Sequence, residues 1–323
     1  MRHIPLSRRS LLAQTGAVLS GFVLSGVSST ATASSKGAAK LPAAAAGTLR
    51  IGRDLTVNRL GFGAMRICGD GIWGDPADPV EARAVLRRAV ELGVNFIDTA
   101  DAYGPYVSEN LIAEVLSPYP KGLLVATKGG LVRPVREKWD RDGRPEHLRE
   151  ACEASLKRLK IERIDLYQMH APDPKVPYED SIGELAKLQK EGKIRHIGVS
   201  NVDVDQLAKA RALVEVVSVQ NRYNVADRSS DPVLAVCEQN GIAFIPWSPL
   251  SQNPRDAGDE NRKALEAVAA KRGISVPQAA LAWLLARSPV MLPIPGTSKR
   301  AHLEENVAAA AVHLTADEMK EIG

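Results

Sequence analysis

Asp98, Tyr103, Lys128 and His170 are four side chains whose types, taken together, can deliver a proton. A tyrosine hydroxyl titrates near pH ~10 and is a weak acid on its own. An ammonium beside it favours the phenolate and lowers its pKa, and a carboxylate beside the ammonium holds that charge in place. A neighbouring histidine can hydrogen-bond a substrate oxygen and orient it. Such a set suits the reduction of a carbonyl, whose oxygen must gain a proton. Each residue also has an ordinary role when taken alone: a loop-capping Asp, a packed aromatic, a solvated Lys, a structural His. Position sets them apart. Asp98 ends the apolar run "VNFIDTA", with Tyr103 five residues later in a Gly-bounded loop; Lys128 ends "VATKGG" and His170 follows in "LYQMHAPD".

The elements that must position these residues follow from the alternation of two patterns. Strand-like runs appear at "VNRLGFG", "VNFIDTA", "LLVATKG", "IDLYQMH", "IRHIGVS", "VVSVQNR", "IAFIPWS" and "VMLPIPG", with helical patterns at 80–93, 146–160, 179–192 and 231–241 among those between them. In the first of these, Val85, Leu86, Ala89, Val90 and Leu92 recur at helical spacing and Gly93 closes the helix. Eight such units in about 270 residues predict an α/β fold, a (β/α)8 TIM barrel, in which catalytic groups sit at the C-terminal strand ends. Ahead of them, "TLRIGRDLTV" reads as an N-terminal β-hairpin around Gly52, expected to cap the barrel floor. Nothing in the composition divides residues 48–323, so they are expected to form one domain.

The bulk numbers narrow the classes. The 323 residues are 45% hydrophobic and 25% charged, a globular composition. The net charge is +4, but the first 33 residues hold Arg2, Arg8 and Arg9 and no acid, which leaves +1 for the rest and no basic stripe for nucleic acid. Cys68, Cys152 and Cys237 match neither a disulfide framework nor a metal-ligand spacing, so no metal is expected. At the N-terminus, Arg8 and Arg9 precede a diluted apolar stretch, Leu11 to Val27, and "ATA" at Ala31–Ala33 offers small residues for cleavage. This is the layout of a secretory signal and not of a membrane span; it resembles a twin-arginine signal over residues 1–33. Residues 34–47 read as an Ala/Ser-rich linker. The expected location is outside the cytoplasm, reached through the export machinery, or the cytoplasm if the signal goes unused.

Over residues 48–323 the chain resembles the aldo-keto reductases. "LGFGAMR", "NFIDTADAYG", "ATKGG", "GKIRHIGVSN", "VQNRYN", "WSPL" and "IPGTSKRAHLEEN" fall in that family's order, and Asp98, Tyr103, Lys128 and His170 match its catalytic tetrad. The resemblance implies hydride transfer from the C4 of a nicotinamide to an aldehyde or ketone. Tyr103 would donate the proton, Lys128 with Asp98 would lower its pKa, and His170 would orient the carbonyl. The alternative class is a cofactor-binding, redox-sensing or regulatory subunit with slow turnover.

The same resemblance implies a cofactor surface. Gly63, Ala64 and Met65 would approach the nicotinamide alongside Asp98. Ser200, Asn201 and Gln220 would bind its carboxamide, and Trp247, where many relatives carry Tyr, would stack on its ring. Ser248, Pro249, Leu250 and Ser251 would follow the pyrophosphate. Gly296, Thr297 and Ser298 would open a loop and helix at the adenosine 2′-phosphate, with Lys299 and Arg300 as the available positive charges. Glu305 and Asn306 match adenine-contacting positions. His302 stands where better-known members have an Arg and is a weaker phosphate anchor. NADPH is the expected cofactor, with NADH the alternative, and no Rossmann Gly-rich loop is present. Trp73 and Trp139 are candidate walls of the substrate pocket, and Arg133 and Arg136 candidate attractors of an anionic substrate. The segment "LGFGAMR…GIWG" is similar to reductases of small aldehydes, pyridoxal-like ones among them. The expected partner is a small carbonyl substrate, and the expected state a monomer or small homo-oligomer.

Overall fold

A computed structural model describes residues 41–250 and 260–323. The expected signal, residues 34–40 of the expected linker, and Ser251 lie outside the described residues. Pro42–Ala46 form a single 3-10 turn in which Ala43 is fully buried and donates its N–H to Leu92 O at 2.9 Å, so the packed body begins before residue 48. Strands β1 (Thr48–Ile51) and β2 (Leu55–Asn58) pair antiparallel around Gly52. Gly52 has φ +60, a backbone conformation open to glycine. Leu49, Ile51 and Val57 of this pair share one apolar cluster with Phe96, Leu124, Leu166, Val217 and Leu292.

The remainder alternates strand and helix. Strand β3 (Phe62–Gly63) is followed by α1 (Pro79–Glu91), β4 (Phe96–Asp98), α2 (Val107–Leu116) and β5 (Leu124–Gly129). A small antiparallel pair, β6 (Leu131–Val132) and β7 (Asp140–Arg141), interrupts the next connection. Then come α3 (Pro145–Leu159), β8 (Ile164–Met169), α4 (Tyr178–Lys190), β9 (Ile194–Ser200), α5 (Val204–Leu213), β10 (Val216–Gln220), α6 (Asp231–Asn240) and β11 (Ala243–Phe244). Helices α7 (Glu260–Arg272), α8 (Val276–Arg287), α9 (Arg300–Ala308) and α10 (Ala316–Ile322) complete the described chain. Local sequence explains the boundaries. Asp78 caps α1 by accepting from Glu81 N at 2.9 Å, Pro79 occupies the first turn, and Gly93 at φ +88 follows the last one. Ala82, Val85, Leu86 and Ala89 form the buried face between them. Strand β5 is buried at every residue, as a parallel strand covered on both faces must be.

Strands β3, β4, β5, β8, β9, β10 and β11 lie side by side in that order, all parallel, and curl into a (β/α)8 barrel. Where an eighth strand was expected, residues 290–295 close the ring without forming a ladder. On one side Phe244 N donates to Val290 O and Leu292 N to Phe244 O, both at 2.8 Å. On the other, Gly61 N donates to Pro293 O at 2.9 Å and Gly63 N to Pro295 O at 3.4 Å. Pro293 and Pro295 accept but have no N–H to give, so the pattern of a regular strand is lost. Arg59 reinforces the junction by donating to Leu285 O at 2.9 Å and Ser288 O at 2.6 Å. Gly63 and Gly296 meet back to back here. A Cβ on Gly63 would stand 2.6 Å from Ile294 O, and one on Gly296 would stand 2.6 Å from Gly63 O.

Candidate active site

The register of the parallel strands brings Asp98, Lys128, Gln168, Ser200 and Gln220 to one end of the barrel: Asp98 pairs with Ala126, Lys128 with Gln168, and Ser200 with Gln220. Lys128 is fully buried, and its ammonium donates to Asp98 Oδ1 at 2.6 Å, Thr99 O at 2.9 Å and Tyr103 Oη at 3.3 Å. All three of its protons are therefore used. Asp98 Oδ2 accepts from Gln220 Nε2 at 2.8 Å and Gln168 Nε2 at 3.2 Å. Three donors therefore meet the Asp98 carboxylate, one of them the Lys128 ammonium; either charge buried alone would be costly. Because Tyr103 Oη accepts from Lys128, its own O–H is left to point elsewhere. The His170 ring stands edge-on to Tyr103, with centroids 5.8 Å apart, and His170 Nδ1 is buried with no hydrogen-bond partner among the described residues.

Burial acts on these groups in different directions. It would depress the Lys128 ammonium, but Asp98 and Tyr103 outweigh it and hold the group above its ordinary value. For Tyr103 burial wins: the hydroxyl titrates above its ordinary value although Lys128 pulls it down. Lys128 lowers the Tyr103 pKa in the expected direction, but burial leaves the net value above the ordinary one. The hydroxyl thus keeps its proton at neutral pH, and the ammonium stabilises the phenolate once the proton leaves. His170 is pushed well below the usual imidazole range, by burial first and by Lys128 second, so it is neutral.

Behind the four lies a polar cluster that the sequence did not point to. Glu109 accepts from Thr127 Oγ1 and Arg158 Nε, each at 2.6 Å, and is fully buried. Asp101 is also buried, with Oδ1 unpartnered among the described residues. Burial, helped by the Glu109 charge, pushes its carboxyl up to about 8. An unfolded aspartate titrates near ~3.9. A raised folded value means that stability is full below the unfolded value and falls as pH climbs from there through about 8. Asp101→Asn should therefore lose less stability between pH ~5 and pH ~8 than the parent, by on the order of 3–4 kcal/mol. Urea denaturation of both proteins at the two pH values checks this; parallel slopes would mean that Asp101 is ionised in the folded protein.

The expected substrate walls have a different basis from the one foreseen. Arg133 was expected to attract anions. It is instead 7% exposed, donating to Ile72 O at 3.0 Å, Gly71 O at 3.1 Å, Lys138 O at 3.2 Å and also to Arg136 O. Its guanidinium lies 3.9 Å from the ring centre of Trp139 and 5.4 Å from that of Trp73. It staples the loop after β3 to the segment between β6 and β7, and these carbonyls leave it little to offer a substrate. Trp139 stands edge-on to Tyr103 with ring centres 6.4 Å apart, and Trp73 bridges to Gly104, the residue after Tyr103. Arg136 is exposed.

On the cofactor side, Gly63 and Ala64 are buried, and Met65 packs with Cys68, Ala100 and Tyr103. Ser200 Oγ donates to Gln220 O at 2.7 Å. Asn201, at φ +57, donates to His170 O at 2.9 Å and accepts from Trp247 Nε1 at 3.0 Å. These groups knit the strand ends together, and the Gln220 side-chain nitrogen also holds Asp98. Ser248 has φ +55 and its carbonyl accepts from Asn224 at 3.0 Å, beside buried Pro249 and half-buried Leu250. Thr297 Oγ1 accepts from Lys299 N at 3.1 Å; Ser298, Lys299 and His302 are exposed, and Asn306 is buried with half-buried Glu305 beside it. Arg300, expected as an available positive charge, is exposed but already paired with a carboxylate. Its backbone N–H and Nε donate to the two oxygens of Glu81, at 2.8 and 2.9 Å. Gln168, Glu109 and Glu81 were not legible as site residues, because no local motif marks them.

Comparison with known proteins gives three kinds of match. The sequence profile of the Aldo/keto reductase family matches residues 59–323. An uncharacterized oxidoreductase of Schizosaccharomyces pombe is 52% identical over 275 residues, covering 85% of this chain and 88% of that one. Pyridoxine 4-dehydrogenase of Escherichia coli is 42% identical over 268 residues, covering 80% and 92%. Among solved structures, an aldo-keto reductase from Klebsiella pneumoniae in complex with NADPH superposes with a TM-score of 0.72 at 26% identity, covering 85% of this chain and 93% of that one.

Proposed function

The chain belongs to the aldo/keto reductase family, and from that premise we propose that it is an NADPH-dependent oxidoreductase that reduces an aldehyde or ketone to an alcohol, with Tyr103 as proton donor. One observation carries the assignment of the donor: Lys128 donates into Tyr103 Oη, so the Tyr103 O–H is free to face a substrate oxygen. When bound, the nicotinamide supplies a hydride to the carbonyl carbon. The oxygen takes the Tyr103 proton, and the negative charge that moves onto the phenolate is met by the Lys128 ammonium. Neutral His170 hydrogen-bonds the same oxygen and fixes its direction. Asp98, held by Gln168 and Gln220, keeps Lys128 charged and in place.

The residues present fit the cofactor. Trp247 offers a half-buried aromatic face anchored by its indole N–H on Asn201. The N-terminus of α9, with Lys299 and Arg300, already receives a carboxylate and so suits a phosphate. The hairpin of β1 and β2 is read as the plug of the barrel's N-terminal end. Pyridoxal is the first aldehyde to assay, because a pyridoxine dehydrogenase is 42% identical. The test is a titration of Trp fluorescence with NADPH and NADH, followed by NADPH oxidation in the presence of aldehydes. Binding of NADPH with aldehyde-dependent oxidation is the expected result; binding of neither dinucleotide would overturn the reading.

A further inference from the structure

We propose that Glu81 is a cofactor-specificity residue, one that limits how strongly this protein prefers NADPH over NADH. The inference rests on the cofactor reading above. The first turn of α1 places Glu81 against α9, a helix it meets across 219 positions of sequence. Its Oε1 accepts from the backbone N–H of Arg300 at 2.8 Å and its Oε2 from Arg300 Nε at 2.9 Å. The side chain is 17% exposed, against 56% for Arg300. Lys299, the residue just before α9, supplies no side-chain cap, so Glu81 caps the helix from a neighbouring one. Arg300, with Lys299 adding its field, holds the Glu81 carboxyl below its ordinary range, which keeps it ionised.

A backbone N–H and a guanidinium converging on one anion at a helix N-terminus is the arrangement that binds phosphate. Here an internal carboxylate fills it. A phosphate arriving at the same point must displace Glu81 from Arg300 or settle beside a like charge, and either weakens binding. NADH carries no 2′-phosphate and meets neither cost. Glu81 therefore acts against NADPH selectively.

Glu81→Gln keeps the shape and removes the charge. Titrated with NADPH and NADH, this variant should bind NADPH about tenfold more tightly than the parent, with NADH affinity within about twofold. The NADPH gain should shrink in about 1 M salt, as a charge effect must. Placed on Arg300→Met, the same substitution should gain less, because no guanidinium is released. An unchanged or lowered preference for NADPH in Glu81→Gln overturns the role of Glu81 while cofactor binding stands. A parent protein that binds neither dinucleotide overturns both.

Discussion

Tyr103→Phe should lower the turnover of carbonyl reduction by about 10³-fold while leaving dinucleotide affinity within about twofold. The hydroxyl is the one group of the four with a proton to give: Lys128 has all three of its protons engaged, and His170 is neutral. The ring itself is held by Trp139 and His170, and Phe preserves that packing. Steady-state oxidation of NADPH with an aldehyde, run beside a fluorescence titration, separates the two effects. A variant that kept a tenth or more of its turnover would place the proton source elsewhere.

Lys128→Met should cost stability as well as activity. Removing the ammonium leaves the Asp98 carboxylate buried without a cation, which typically costs about 3–5 kcal/mol. Gln168 and Gln220 still donate to Asp98 but carry no charge to offset it. Urea denaturation reads the loss directly. The double variant Lys128→Met, Asp98→Leu should be more stable than Lys128→Met alone, because the stranded charge is gone. Turnover should stay low in both, since neither has an ammonium to stabilise the Tyr103 phenolate. A Lys128→Met protein as stable as the parent would mean that Asp98 becomes protonated at little cost.

That Asp98, Tyr103, Lys128 and His170 would be neighbours was readable from sequence, because each strand end is bounded by its own apolar run and the barrel gathers those ends. The barrel was readable for the same reason: parallel strands covered on both faces are near-continuous in apolar residues, as β5 is. What lay hidden was everything that depends on a distant partner. Gln168 looks like a polar interruption in a strand until Asp98, two strands away on β4, is seen to accept from it. Arg133 sits in a loop rich in charge, where sequence cannot tell a solvated guanidinium from one capped by carbonyls. Glu81 reads as the ordinary acid of a helix's first turn, and its second partner is on another helix. The last barrel segment misled in the other direction: "VMLPIPG" has a strand's apolarity, but Pro293 and Pro295 remove the donors a ladder needs.

That segment also bears on how the chain reaches its fold. Successive parallel strands from β3 to β11 can add one to the next as the chain collapses, each across a short crossover. The bonds from Gly61 and Gly63 to Pro293 and Pro295 join residues more than two hundred positions apart, and they come only when nearly the whole chain is in hand. Until then β3 and β11 are open edges, able to pair with another molecule. At this seam a side chain on Gly63 would strike Ile294 O and one on Gly296 would strike Gly63 O, so the late step depends on two glycines whose backbones close in bare.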